Sequence, residues 1–120
     1  ILEGTTAADC ATTPEHKRVC SPGKGPVIPF MDGGTIYDRE LYRLLTRLCE
    51  EQDIPWQTKE YISGGTDART IQRTKTGVRV AAVSAAVRYL HSPASVAATS
   101  DFDHMLRLTE EFIKAIAATC

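Results

Sequence analysis

The sequence has no long hydrophobic run and no excess of charge of either sign. Its 120 residues carry 14 lysines and arginines against 15 aspartates and glutamates, a formal net charge of −1. This balance leaves no electrostatic footprint for nucleic acid or for an anionic membrane surface. The least charged stretch, residues 80–100, is interrupted by Arg88 and falls short of the roughly 20 apolar residues that a membrane-spanning helix needs. We therefore expect neither nucleic acid nor a membrane as a partner.

Cysteine is scarce, and its spacing excludes the commonest cysteine-based metal sites. Cys10, Cys20, Cys49 and Cys120 include no C-x-x-C pair, which zinc fingers and zinc ribbons require. Four cysteines allow three pairings, so their number alone establishes no disulfide. Cys49 falls in an apolar helical stripe, where a buried free thiol is the simplest interpretation. We expect reduced thiols and a cytoplasmic location.

Three motifs of common enzyme chemistry are also absent. The glycines around Lys24 lack the Walker spacing of a phosphate loop, and the pair Gly64-Gly65 does not extend to G-x-G-x-x-G. Ser92 adjoins His91 in the chain, but adjacent residues seldom face each other as a nucleophile and its base must. The sequence therefore predicts neither a nucleotide-binding loop nor a serine hydrolase.

What the chain does show is an alternation of strand and helix signals. Apolar residues at helical spacing predict helices over 38–52, 68–75 and 101–118, the first of them carrying Leu41, Leu44, Leu45 and Leu48. Short apolar runs predict a strand ending at Ile1-Leu2 and strands over 27–31, 56–62 and 78–83. This alternation predicts an α/β fold with a mostly parallel sheet flanked by helices. Charged residues of the last helix, Asp101 among them, are expected on its outer face.

The beginning of the chain resembles the inside of a domain. An apolar pair runs directly into Glu3 and Gly4, with no methionine and no polar lead-in. A long amphipathic helix is predicted at the other end. We expect the chain to form the C-terminal part of a larger unit.

Three polar residues follow predicted strands, where ligands of parallel α/β sheets bind. Glu3 follows Ile1-Leu2, Asp67 follows the turn after strand 56–62, and His91 follows the apolar stretch from Val83. Two carboxylates and an imidazole suit zinc, cobalt or manganese. The spacing fits equally well an exposed Glu3, a helix N-cap at Asp67 and a hydrogen-bonded structural histidine.

Five strings in this order resemble one enzyme family along nearly the whole chain. They are Glu3-Gly4-Thr5-Thr6-Ala7-Ala8-Asp9, Gly23-Lys24-Gly25-Pro26-Val27-Ile28, Met31-Asp32, Gly64-Gly65-Thr66-Asp67-Ala68 and Arg88-Tyr89-Leu90-His91-Ser92-Pro93. Together they are similar to the C-terminal part of the M42 metallo-aminopeptidases, which include glutamyl aminopeptidases, TET aminopeptidases and FrvX-like proteins, some of them named endoglucanases. The resemblance implies a zinc-peptidase, phosphorylase/hydrolase-like sandwich. Residues 1–120 would be the C-terminal part of its catalytic domain, without the upstream part and the inserted β domain.

The resemblance also implies roles for single residues. Glu3 would be the acidic metal ligand that closes a strand, and His91 the last histidine ligand, of a site with two divalent ions, zinc or cobalt. Gly64, Gly65, Thr66 and Asp67 would lie beside the substrate. The other histidine, the bridging aspartate and the pair of glutamates of the family lie upstream, so this chain alone would be inactive. Peptides would be the substrates, and the complete protein would form homo-oligomers, from dimers to dodecamers.

Departures from the family pattern and two other functions stay open. Arg69 stands where the family commonly has glycine, which puts substrate preference in doubt. A glycoside hydrolase, as some relatives are named, needs two carboxylates and aromatic platforms, whereas the chain has one tryptophan and no evident acid pair. A non-catalytic relative that only assembles with partners is the third alternative.

Overall fold

Three short strands, three α-helices and one 3₁₀ turn, Glu15–Lys17, make up the regular structure of the described residues. A computed structural model describes residues 1–119, so Cys120 lies outside the described residues. The elements in chain order are β1 (Leu2–Thr6), α1 (Arg39–Glu51), α2 (Ala68–Gln72), β2 (Val83–Arg88), β3 (Val96–Ala97) and α3 (Thr99–Ala118). Within this part of the chain, no helix combines the length and the hydrophobicity that crossing a bilayer requires.

The sheet is mixed, with β2 in the middle. β1 runs parallel to β2, with Leu2 opposite Val83 and Thr6 opposite Val87. β3 pairs with β2 in the antiparallel direction through two residues of each strand. Every residue of β2 except Arg88 is buried, as small and β-branched residues in a central strand allow. The predicted α/β fold is confirmed, and the pair β1–β2 is its parallel part.

Helices α1 and α3 cover one face of the sheet. Leu45 of α1 and Leu108 of α3 are almost completely buried against Val83 and Ala85 of β2. The Asp38 carboxylate caps α1 by accepting hydrogen bonds from the amides of Glu40 and Leu41. Hydrogen bonds from Arg79 and from these amides lower the pKa of Asp38 to about 2. The predicted helix at 38–52 is therefore confirmed, with its apolar stripe facing the sheet.

Loops, and not further strands, cover the opposite face. The strands predicted over 27–31 and 56–62 are wrong, because these segments form only isolated bridges, among them Val27 with Gln57 and Met31 with Ile36. Pro26 and Pro29 have no backbone N–H and cannot continue a ladder of hydrogen bonds. The segment after Gln57 turns back on itself, because the Lys59 ammonium group donates to the Ser63 carbonyl oxygen.

Two element boundaries also differ from the prediction. The strand predicted over 78–83 begins only at Val83 and continues to Arg88. Before it, the chain is held by single hydrogen bonds, from the Asp38 amide to the Val80 carbonyl and from the N-terminal ammonium group to the Ala81 carbonyl. The helix predicted over 68–75 ends at Gln72, five residues before Gly77, which adopts a positive φ.

Asp101 does not lie on the outer face of α3, where its charge predicted it. Its side chain is completely buried and accepts hydrogen bonds from the amides of Gly23 (2.8 Å) and Gly25 (2.9 Å). The expected outer position was wrong because the buried Gly25 amide needs an acceptor inside the protein, and a carboxylate in the first turn of α3 provides it. Asp103, two residues later, is exposed as expected. We call the segment Ser21–Pro26 together with Asp101 the glycine clamp.

We expect Asp101→Ala to lower the free energy of unfolding by about 2–4 kcal/mol, because it would leave the buried Gly25 amide without an acceptor and would remove the part-buried hydrogen bond of Gly23. Asp103→Ala, on the exposed side of the same helix turn, is the matched control and should change stability by less than about 0.5 kcal/mol. Urea unfolding followed by circular dichroism measures both. Equal stability of the two variants would contradict the assigned role of Asp101.

Candidate functional site

A cavity opens at the carboxyl ends of β1 and β2. Its volume is about 510 Å³, and its lining includes Thr5 and Thr6 of β1, the segment Gly64–Thr66 and His91. The segment Gly64–Thr66 and His91 are 25 residues or more apart in the sequence. The parallel pairing of β1 with β2 brings Thr5 and Thr6 close to His91, and the Gly33 amide holds the glycine loop. Lys59 also lines the cavity. The sequence did not indicate this lysine as a site residue.

A strained turn positions His91. After β2 ends at Arg88, both Tyr89 and His91 adopt positive φ values, 59° and 62°. Such values are uncommon for side chains with a Cβ and persist where the surroundings hold them. The Tyr89 carbonyl oxygen accepts hydrogen bonds from the Ser92 amide (3.2 Å) and the Ser95 hydroxyl (3.1 Å). The turn thereby keeps the His91 imidazole exposed at the rim of the cavity.

An ion pair joins the ends of β1 and β2 beside this turn. The Arg88 guanidinium donates two hydrogen bonds to the Asp9 carboxylate, from Nε to Oδ1 (2.8 Å) and from Nη2 to Oδ2 (2.7 Å). Hydrogen bonding to Arg88 keeps the pKa of Asp9 below its ordinary value, although partial burial opposes this shift. The two-point geometry fixes orientation as well as distance. It therefore couples the loop after β1 to the turn that carries His91.

A hydrogen-bond network holds the glycine loop of the cavity. The Gly33 amide donates to the Gly64 carbonyl oxygen (2.7 Å). The Tyr37 hydroxyl donates to Asp32 Oδ2 (2.7 Å) and lies 3.1 Å from the Thr66 hydroxyl oxygen. Burial of the phenol raises the pKa of Tyr37 above its ordinary value. Tyr37 therefore stays protonated and keeps Thr66 in place next to the buried Asp32 carboxylate.

Glu3 lies inside β1, and not after it as the sequence predicted. It is the second residue of the strand and stands opposite Ser84, because the pairing with β2 extends β1 as far as Thr6. Residues in register share a face of the sheet, so the Glu3 side chain follows Ser84 to the loop-covered side. Glu3 does not line the cavity of His91; it borders a second cavity, which α3 lines with Phe102, Met105 and Leu106. Its carboxylate contributes to the raised pKa of Tyr37, which places its charge within electrostatic reach of the network around Thr66.

Asp67 is separated from the other predicted site residues. It is exposed and does not line the cavity. It occupies the N-cap position of α2 without forming a side-chain cap. The Thr66 hydroxyl accepts from the Ala68 amide instead (3.2 Å). Of the four residues predicted to contact substrate, the structure therefore brings Gly64, Gly65 and Thr66 to the cavity.

The residues present supply too few donors for a metal ion on their own. Among residues 1–119, no group of three or more histidine, cysteine, aspartate or glutamate side chains is arranged to hold a metal. The Glu3 carboxylate and the His91 imidazole suit zinc or cobalt chemically. Zinc in proteins takes about four ligands, so donors from outside these residues would have to complete such a site.

Sequence reasoning missed Lys59, Asp32 and Tyr37 as residues of the site. A sequence pattern that could have indicated Asp32 and Tyr37 is an acidic residue at a glycine turn with a tyrosine five positions later. Two residues at this spacing can form a local hydrogen bond. Lys59 has none, because a lysine in a polar segment is ordinarily exposed. Its burial depends on the turn that the chain makes after Gln57.

Comparison with known proteins assigns the chain to a family. The sequence profile described as M42 glutamyl aminopeptidase matches residues 1–108. The chain belongs to the M42 peptidase family. The predicted resemblance is thereby confirmed over 108 of the 120 residues.

Relatives and solved structures agree with the M42 assignment. Lysyl aminopeptidase of Pyrococcus furiosus is 30% identical over 95 residues, which are 78% of this chain and 27% of that protein. The structure of aminopeptidase APDkam598 from Desulfurococcus kamchatkensis superimposes with a TM-score of 0.88 at 31% identity, covering 93% of this chain and 32% of that one. The TET1 peptidase of Pyrococcus horikoshii, described as able to assemble into a tetrahedron or a large octahedral shell, gives a TM-score of 0.72 at 29% identity, covering 91% and 31%.

The matches cover most of this chain but only part of its relatives. The chain spans less than a third of the length of the curated relatives that it matches, 31% of one and 27% of another. The similarity therefore establishes the family and the fold of residues 1–119.

Proposed function

We propose that the chain forms the C-terminal part of the catalytic domain of an M42 aminopeptidase, which removes N-terminal residues from peptides. The observation that carries the proposal is the shared cavity of His91 and the segment Gly64–Thr66, at the carboxyl ends of two parallel strands. Ligands of α/β sheets bind at this edge. Residues 1–120 would supply one side of the active site, and upstream residues the other.

In this proposal Glu3 and His91 each give one ligand to a site with two divalent ions, zinc or cobalt. When bound, such ions polarise the scissile carbonyl group and acidify a water molecule. The role of this chain is to orient those ligands: the Arg88–Asp9 ion pair and the turn after β2 fix His91, and the pairing with Ser84 fixes Glu3. The general base and the remaining ligands belong to the upstream part, so the chain alone is inactive.

The glycine loop would bind the peptide. Gly64 and Gly65 carry no side chain between the cavity and their backbone, so a substrate can approach the backbone closely. Gly64 adopts a φ of 66°, and an added Cβ at either glycine would meet no atom within 4 Å. This free space supports the interpretation that the loop is open to a ligand. A loop packed against the protein would have neighbouring atoms at these positions. Asp67, exposed beside the loop, would contact only parts of the substrate outside the cavity.

The proposed oligomeric state and cellular location also rest on membership of the M42 family. The tetrahedral and octahedral shells of the TET1 peptidase support a homo-oligomer for the complete protein. Cys10, Cys20 and Cys49 are free thiols in the structure, which supports the reducing environment of the cytoplasm.

The glycoside hydrolase alternative has less support. Glu3 is the one carboxylate proposed for the site, and among residues 1–119 the lining of the cavity itself includes no aspartate or glutamate. Two carboxylates that flank the scissile bond are what a glycosidase ordinarily needs.

Hydrolysis of leucine p-nitroanilide tests the proposal. The complete M42 polypeptide that carries residues 1–120 should cleave this substrate, lose the activity on dialysis against EDTA and regain it with Zn²⁺ or Co²⁺. The 120-residue chain alone should show no cleavage with either metal. Activity that survives EDTA, or hydrolysis of cellulose oligosaccharides in place of the anilide, would contradict the aminopeptidase assignment.

A further inference from the structure

Helix α3 has two apolar stripes, and the sheet covers only one of them. The first stripe packs on the sheet through Met105 and Leu108. The second stripe lies beside the first at positions i, i+4, i+7 and i+11 of the helix, and it consists of Phe102, Leu106, Thr109 and Ile113. Its three apolar members are each more than half exposed. Residues at this spacing share one face of a helix, so α3 presents an apolar face that the three strands do not reach.

A groove separates this second stripe from β1. It consists of two cavities, one of about 520 Å³ that Gly4 and Leu106 border and one of about 230 Å³ that Ile113 borders. Leu2 and Thr109 border both cavities, so the two are continuous along the helix. We call them together the edge groove.

The backbone of β1 is unpaired on the side of the edge groove. β1 is an edge strand of the sheet, with β2 on its other side. Ile1 and Ala7 direct their backbone hydrogen bonds to β2, and the direction of these bonds alternates along a strand. The amides and carbonyls of Leu2 and Gly4 therefore point away from β2, and they bond to no other segment within residues 1–119. An open edge of this kind is a template for a further strand.

The edge groove has the length of one short strand. Phe102 and Ile113 are eleven residues apart in α3, which is about 16 Å at a rise of about 1.5 Å per residue. The five residues of β1 extend over the same length, at about 3.3 Å per residue. One strand added to β1 would therefore pair the free backbone groups and cover the second stripe of α3 from end to end.

We propose that a β-strand from the upstream part of the same M42 polypeptide occupies the edge groove, pairs with β1 and packs apolar side chains on α3. The inference rests on the proposed function, which makes this chain the C-terminal part of a longer catalytic domain. The chain matches 31% of one curated relative and 27% of another, so more than two thirds of each relative lies outside the matched part. The edge groove reaches Met105 and Val83 of the hydrophobic core, so its occupant joins the core of the domain.

Glu3 connects the edge groove to the candidate site. Among the described residues, it contributes the only charged side chain of the groove lining. A strand beside β1 would bring upstream side chains next to Glu3. Filling the groove would therefore complete the core and also bring the two parts of the proposed site together.

Hydrogen exchange in the wild-type complete polypeptide tests the proposal. The amides of Leu2 and Gly4 should exchange about 100-fold or more slower than in an unstructured peptide, as the Thr5 amide does because its backbone points to β2. Mass spectrometry with electron-transfer fragmentation resolves the three amides. Unprotected amides at Leu2 and Gly4 next to a protected amide at Thr5 would overturn the proposal.

Leu106→Asp distinguishes an upstream strand from a second copy of the protein in the groove. Leu106 is 61% exposed in residues 1–119, but in the proposal it is buried within each protomer of the complete polypeptide. The variant should therefore lower Tm by about 5 °C or more. Val78→Asp is the matched control, because Val78 is an exposed apolar residue that does not border the groove, and its Tm should stay within about 1 °C of the wild type.

Two results with Leu106→Asp would overturn the proposal. Dissociated protomers with the Tm of the wild type, seen by sedimentation velocity, would place a second copy in the groove. An unchanged Tm with unchanged assembly would show that the groove is free. Because hydrogen exchange uses the wild type, it decides the matter if the variant does not fold.

Hydrolysis of leucine p-nitroanilide by the same wild-type protein reports separately on the proposed function. Slow exchange at Leu2 and Gly4 without any hydrolysis would support the added strand and remove the aminopeptidase activity. Fast exchange at both amides in an enzyme that cleaves the anilide would overturn the added strand and leave the activity.

Discussion

Gly25→Ala is expected to destabilise the fold strongly. Gly25 adopts a φ of 88°, where a residue with a Cβ is strained by about 1–3 kcal/mol. A Cβ at this position would also lie 1.9 Å from the Pro55 carbonyl oxygen, which is far inside van der Waals contact. Because this neighbour is backbone, it cannot rotate away, and the segment before Pro26 would have to move. We expect a loss of about 3–5 kcal/mol and a fall in Tm of more than about 10 °C.

Gly23→Ala is the matched control for this expectation. Gly23 lies in the same segment and has almost the same φ, 86°, but a Cβ there would meet no atom within 4 Å. The control variant therefore carries the backbone strain without the collision, and should lose only about 1–2 kcal/mol. Thermal unfolding of both variants separates the two effects. Similar Tm values for the two would show that the close approach to Pro55 does not exist in solution.

The glycine clamp connects this stability to the site. The Gln57 side chain donates to the carbonyl oxygens of Ser21 (2.8 Å) and Gly25 (2.9 Å) and accepts from the Ser21 amide (2.9 Å). Asp101 holds the two clamp glycines from the side of α3. Gln57 lies two residues before Lys59, so the clamp fixes the point at which the chain turns to bury that lysine. A loss of the clamp should therefore also disturb the cavity.

The sequence predicts the features of the fold that depend on local periodicity and on the order of the parallel strands. The helix after Asp38 and the last helix have apolar residues at helical spacing, and both form. Met105 and Leu108 of the last helix pack on the sheet, whereas its Phe102, Leu106 and Ile113 are exposed. The position of His91 was also predictable, since it follows the apolar stretch that becomes β2. Glu3 was predicted to follow the first strand, but it lies inside that strand. The reason is that a five-residue edge strand takes its length from the strand it pairs with, and its own sequence does not determine where it ends.

What the sequence does not predict depends on contacts between distant segments. Asp101 looks like an ordinary acid at the start of a helix, and only the amides of Gly23 and Gly25, more than 70 residues earlier, explain its burial. Lys59 is buried by the turn to Ser63, and no periodicity encodes such a turn. The segments at 27–31 and 56–62 have the composition of strands, but their prolines and side-chain hydrogen bonds prevent a continuous ladder.

His91→Ala is expected to cause the largest loss of activity. In the complete polypeptide it would remove an imidazole ligand while leaving the cavity and the sheet intact, because His91 is exposed and its turn is held by Ser92, Ser95 and the Arg88–Asp9 ion pair. A metal site short of one ligand binds its ion more weakly and acidifies water less. We expect kcat/KM for leucine p-nitroanilide to fall about 100-fold or more, with partial recovery at high Zn²⁺ or Co²⁺ and an unchanged Tm of the metal-free protein.

The other two histidines are the controls for His91. His16 is exposed in the turn Glu15–Lys17, and His104 is half-buried on α3; neither lines the cavity. His16→Ala and His104→Ala should keep activity within about twofold of the wild type. His104→Gln replaces His104→Ala if the melting temperature of the latter falls. Metal content measured on the purified variants gives the second readout, because only His91→Ala should reduce it. Full activity and full metal content in His91→Ala would remove His91 from the site and leave the cavity as a substrate pocket without a metal ligand from this chain.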